Sequence, residues 1–132
     1  MTDSEFLDAF ESGAIPPGDF HHQDHLRLTW LLLRRDGLAA GSDRVAGGIR
    51  HYAQGHGQGP RYHETMTRFW TWIVGHAIAA EPAVDSFPAF KAAFPLLLDK
   101  SLPFRHWSRE AIFTSQARAE WVEPDLQRLP SS

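Results

Sequence analysis

His22-Gln23-Asp24-His25-Leu26-Arg27-Leu28-Thr29-Trp30-Leu31-Leu32-Leu33-Arg34-Arg35 decides the fold. Its apolar residues (Leu26, Leu28, Trp30, Leu31, Leu32 and Leu33) cover nearly the whole circumference of a helix, and the run is too short to span a membrane. The spacing therefore predicts a central, buried helix that begins near His21–Asp24, runs to Arg35 and stops at Gly37.

Outward from it, Thr2 and Glu5 form a capping-box pattern, and Phe6, Leu7 and Phe10 make the apolar stripe of a first helix to about Glu11. Ile15-Pro16-Pro17-Gly18 ends that helix. Ser42 or Asp43 is expected to cap a third helix carrying Val45, Ile49 and Tyr52 and closing near Gly55. After the glycine-rich turn Gly55–Pro60, a fourth helix is expected from about Pro60, with Tyr62, Met66, Phe69, Ile73 and Ala77 on one face. Ser86 is expected to cap a fifth helix bearing Phe87, Phe90 and Phe94, and residues 103–129 read as short helices and a tail. No segment alternates in the manner of a strand. The expectation is an all-α chain: a compact single-domain helical bundle over residues 1–132, of about five main helices plus short C-terminal helices.

Composition narrows the function. With 132 residues, 42% apolar and 22% charged, the chain is globular in character. The absence of cysteine excludes disulfides, Cys-ligated zinc, iron–sulfur clusters and thiol nucleophiles. A net charge of -3 gives no electrostatic reason for nucleic acid or an anionic membrane as partner. The acidic Met1-Thr2-Asp3-Ser4-Glu5 start is the reverse of a signal peptide, so a cytoplasmic location is expected.

The unusual feature is eight histidines. If helices two, three and four run up, down and up, the starts of helices two and four share one end, where Phe20–His25 and Arg61–Thr65 would meet. His22 and His25, three residues apart, share a helix face, and His63 would lean toward the same interior. Three imidazoles with an open position suit one divalent transition metal, with zinc, copper, iron and nickel undistinguished. Glu64 is a candidate base on metal-bound water or a further ligand, unless it simply pairs with Arg68 four residues on. Tyr62 is a candidate proton donor and Asp24 a candidate acceptor that fixes a histidine tautomer. Arg27, Arg61 and Arg68 are candidates for holding a substrate carboxylate, and Trp30 and Trp70 for lining the cavity. Read alone, each histidine is as readily a cap or a satisfied buried ring.

Several motifs fail. His63-Glu64-Thr65-Met66-Thr67 has threonine where a zinc protease needs its second histidine, and Gly55-His56-Gly57-Gln58-Gly59 lacks the lysine and serine of a phosphate loop. The paired Glu-x-x-His pattern of di-iron bundles is absent, and so is a Gly-x-Ser-x-Gly elbow.

The blocks Phe20-His21-His22-Gln23-Asp24-His25-Leu26-Arg27-Leu28-Thr29-Trp30 and Tyr62-His63-Glu64-Thr65-Met66-Thr67-Arg68-Phe69-Trp70 resemble a group of small uncharacterised bacterial proteins. The stretch from Ile112-Phe113-Thr114-Ser115 through Ala117-Arg118 to Glu123-Pro124-Asp125-Leu126 resembles the tail of that group. The resemblance implies an intact single-domain member and carries no activity across. Two functions are thus expected from the residues: a small metal-dependent enzyme acting on a small-molecule substrate, or a non-catalytic metal- or ligand-binding module. A metal-free enzyme using His63 and Glu64 as acid and base is a variant of the first, and the apolar tail leaves a homodimer open.

Overall fold

The computed structural model describes residues 1–129, and no strand occurs among them. The described residues form seven α-helices, with 3-10 turns in some of the connections: α1 (Asp3–Glu11), α2 (His22–Asp36), α3 (Leu38–Gly55), α4 (Glu64–Ala80), α5 (Phe87–Ala93), α6 (Arg109–Ile112) and α7 (Ser115–Ala119). The all-α expectation holds. The chain divides into two compact units, Met1–Tyr62 and the chain from His63 onward, each with a core of its own.

In the first unit, the α1 capping box forms as its sequence predicts. Thr2 Oγ1 accepts from the Glu5 N–H at 3.1 Å, and Glu5 accepts from the Thr2 N–H at 2.9 Å. α2 buries Leu26, Leu28, Thr29, Trp30, Leu32 and Leu33. Its core partners are Phe6 and Phe10 of α1 and Val45 and Tyr52 of α3. Gly37, at φ 85°, ends α2 and immediately precedes α3. The third helix therefore starts at Leu38 and not at Ser42 or Asp43. Gly41 is the reason the corner closes so tightly: a Cβ there would lie 2.9 Å from the Leu32 carbonyl oxygen and from Leu33 Cα. No side chain but hydrogen fits that approach.

The second unit is built on α4. Its first residue is Glu64, because Gly59–Arg61 forms a separate 3-10 turn and His63 stands outside the helix as its N-cap. The start expected near Pro60 is corrected accordingly. Phe69, Leu102, Trp107 and Ile112 form the core. Thr65, fully buried, donates to the carbonyls of Ala117 and Glu120 and accepts from the Val122 N–H at 3.3 Å. The segment after α7 is clamped further along. Trp107 Nε1 donates to the Val122 carbonyl at 3.0 Å, and Ser108 donates twice to the Asp125 carboxylate. His106 Nδ1 donates to the Gln127 carbonyl at 2.9 Å. A stretch with little regular structure is thereby held by side-chain hydrogen bonds to its backbone.

Candidate functional site

The expected metal ligands occupy α2 of the first unit and the N-cap of α4 in the second. His63 has both ring nitrogens committed within its own unit. Nδ1 accepts from the Met66 N–H at 3.1 Å, so Nε2 carries the proton and donates to the Ile112 carbonyl at 2.6 Å. Burial depresses its pKa, with a smaller push from Arg118, while the bond to Ile112 acts the other way. His63 is thus a neutral helix cap, which offers no lone pair to a metal. Glu64 pairs with Arg68 at 2.9 Å across one helical turn, with the carboxylate side chain only 13% exposed. Of the three roles open to Glu64 in the sequence (base, metal ligand and partner of Arg68), the ion pair is the one the structure contains. Among the described residues, no group of three or more His, Cys, Asp or Glu side chains is placed to hold a metal ion.

Tyr62, Trp30 and Trp70 are similarly engaged with described residues, and Arg61 is not. Arg50 lies over the Tyr62 ring at 4.9 Å, and Arg61 is exposed on the 3-10 turn. Trp30 is buried, with the Arg34 guanidinium 4.8 Å from its ring centre. Trp70 is half-buried and meets Phe69 edge-on at 5.3 Å. Both tryptophans serve their cores.

His25 differs. It lies in the first turn of α2, with the Phe20 ring 4.3 Å from its own. Neither of its nitrogens forms a hydrogen bond with any described residue. Burial pushes its pKa down to about 4, helped by neighbouring His22 and opposed by Asp24. At neutral pH it is an uncharged imidazole, able to donate through one nitrogen and accept through the other. Around it lies an aromatic group. Phe20 stacks on Phe10 at 5.4 Å and leans on Tyr52 at 5.2 Å, and the Tyr52 hydroxyl donates to the Ile15 carbonyl. His56 closes this end, its Nε2 donating to the Gly13 carbonyl at 3.0 Å. His51, Tyr52 and His56 also line a small cleft of about 160 Å³.

The larger concavity lies on the other side of the α2 start. It is a groove of about 370 Å³ between α1, the Ala14–Asp19 turn and the first turns of α2. Phe6, Ile15 and Pro16 supply apolar wall, and Asp19, Asp24 and Arg27 supply charge. Local sequence explains each placement. α1 closes at Ser12 and Gly13, the latter at φ 76°, and Pro16 and Pro17 then open the 3-10 turn that ends at Asp19. Asp24, the third residue of α2, accepts from the His21 N–H at 2.8 Å and so closes the helix end. Asp24 was expected to fix the tautomer of a metal-ligating histidine, but its hydrogen bond comes from the His21 backbone N–H, and the 3.7 Å from its Oδ2 to the exposed His21 Nδ1 is too long for another. Arg27 lies 4.5 Å above the Phe6 ring centre and donates to Asp3 Oδ1 at 2.8 and 3.2 Å and to the Met1 carbonyl.

Of this groove the sequence singled out Arg27 and Asp24. Phe6, Ile15, Pro16 and Asp19 were legible only as a core residue and a helix stop, because the concavity arises from the angle at which the turn leaves α1. No protein-family model, curated protein or solved structure matches the chain. The functional reading therefore stands on these residues alone.

Proposed function

We propose that the protein is a small-molecule-binding protein whose site is the groove between α1 and the start of α2. The observation that carries this is the groove itself. A concavity of about 370 Å³ with apolar walls and a few converging charged side chains is the usual form of a ligand site. Binding without catalysis fits the chemistry at hand. The groups expected to act as acid, base or ligand in the second unit, His63 and Glu64, are committed to a helix cap and an ion pair. Arg27, expected to contact substrate, and Asp24, expected to orient a histidine, both line the groove.

The test is a fragment screen by amide chemical shifts on labelled full-length protein. Hits should cluster on Ile15, Asp19 and Arg27, and Ile15→Ala should weaken them by about tenfold through the lost apolar wall. Hits that gather elsewhere and ignore Ile15→Ala would refute the proposal.

A metal-dependent enzyme is the second proposal, and His25 favours it. A neutral imidazole with uncommitted nitrogens, three residues from His22, is the form and spacing in which histidines take a transition metal. Such a site would draw further ligands from substrate or water, and zinc or copper would supply Lewis-acid or redox chemistry. Titration with Zn²⁺ and Cu²⁺ decides it: one equivalent bound and lost in His25→Ala supports the metal, and equal weak binding by parent and variant rejects it.

A further inference from the structure

Arginine at the edge of a groove ordinarily signals a carboxylate or phosphate ligand. Here the surroundings of Arg27 reverse that expectation. Its Nε and one terminal nitrogen are held by Asp3 Oδ1, and the same terminal nitrogen reaches the Met1 carbonyl at 3.3 Å. Its positive charge is therefore answered within the fold, and its flat face covers Phe6. The carboxylates on the wall are less committed. The Asp19 carboxylate forms no hydrogen bond or ion pair with any described residue. Asp24 uses Oδ2 for the helix end, and its Oδ1 has no partner among the described residues. The partial positive charge at the start of α2, which would otherwise invite an anion, is already met by that Asp24 oxygen.

Resting on the binding-site proposal above, we infer that the groove takes an organic ammonium ion: an apolar body against Ile15 and Pro16, with its cationic head between Asp19 and Asp24. Desolvating apolar carbon on the wall and pairing one ammonium with two carboxylates uses every feature of the groove. A carboxylate ligand would meet Asp19 and Asp24 with like charge, and the Nε–Nη2 edge of Arg27 is already held by Asp3.

The experiment titrates full-length protein with three probes of matched size: 2-phenylethylammonium, 2-phenylethanol and 3-phenylpropionate. Affinities are read from the amide shifts of Phe6, Ile15 and Asp19. The ammonium is expected to bind about tenfold more tightly than the alcohol, as a charge-assisted contact allows, with the carboxylate weakest. Asp19→Asn should remove that advantage and leave the alcohol unchanged. The side chain is exposed and unpartnered, so the fold should tolerate the change. Asp24→Asn, which keeps an acceptor for the His21 N–H, should reduce the ammonium affinity in the same direction. Equal binding of ammonium and alcohol, or tighter binding of the carboxylate, overturns the ammonium inference while leaving the groove a binding site. If none of the three probes moves the groove amides, both the inference and the binding-site proposal fall.

Discussion

His25 and His63 are both imidazoles whose surroundings oppose protonation, and each reports on its position in a different way. For His25 the folded pKa of about 4 lies below the ordinary value of 6.5. The unfolded chain therefore takes up a proton in that interval while the folded chain does not, and stability falls as pH drops from 6.5 toward 4. The full effect is on the order of 3 kcal/mol. A proton NMR titration of the ring should show a midpoint near 4, and His25→Gln should flatten the pH dependence of urea unfolding across that range. A midpoint near 6.5 would show that the ring is open to water.

His63 acts as a cap. Removing it in His63→Ala strands the Met66 N–H and the Ile112 carbonyl, at a cost of about 1–3 kcal/mol. His63→Asn should recover part of that loss, since asparagine caps a helix but is too short to reach Ile112. Equal losses for Ala and Asn in denaturant unfolding would mean that the cap contributes nothing. Neither role is legible in the residue itself. Histidine at a helix start reads equally as ligand, cap or base until its neighbours are known.

At the scale of the element, α3 carries two glycines that look alike in sequence and behave oppositely, one packed into the α2–α3 corner and one away from it. Gly41→Ala brings a Cβ within 2.9 Å of Leu32 and Leu33 backbone, which must shift, and should destabilise by about 1–3 kcal/mol. Gly47, in the same helix, has nothing within 4 Å of an added Cβ. Gly47→Ala should stabilise by about 0.5–1 kcal/mol through helix propensity. Thermal unfolding of the two variants gives shifts of opposite sign if the corner is packed as described. The start of α3 at Leu38 follows from the same packing. Ser42 and Asp43 are good caps in isolation, but Gly37 ends α2 in a left-handed turn that leads straight into the next helix.

For the whole molecule, acid response should come in two stages. The histidine stage, carried by His25 and His63, falls below pH 6.5. A carboxylate stage follows at lower pH. Glu5 is held below its usual range by hydrogen bonds to Thr2, Asp36 by Arg35, and Asp125 by Ser108. A lowered carboxyl pKa contributes stability that is present above the unfolded value and disappears as pH falls through the folded one. Far-UV circular dichroism against pH, on the parent and on His25→Gln, should show the first stage shrink in the variant while the second remains. No helix among the described residues is long and apolar enough to cross a membrane.

The amino-acid sequence by itself determined the helices: the all-round apolar run of α2, the Thr2–Glu5 box of α1 and the Ser86 start of α5 all act within a few residues of one another. Local periodicity and caps need no knowledge of the rest of the chain. Tertiary structure alone decided what His63 and Arg27 do. Whether His63 meets a ligand or the Ile112 carbonyl 49 residues away, and whether Arg27 faces a substrate or Asp3, depends on partners distant in sequence, whereas the Glu64–Arg68 pair, one helical turn apart, was already legible in it. The groove wall likewise joins α1, a proline turn and α2, and its shape exists only once those backbones are fixed in space.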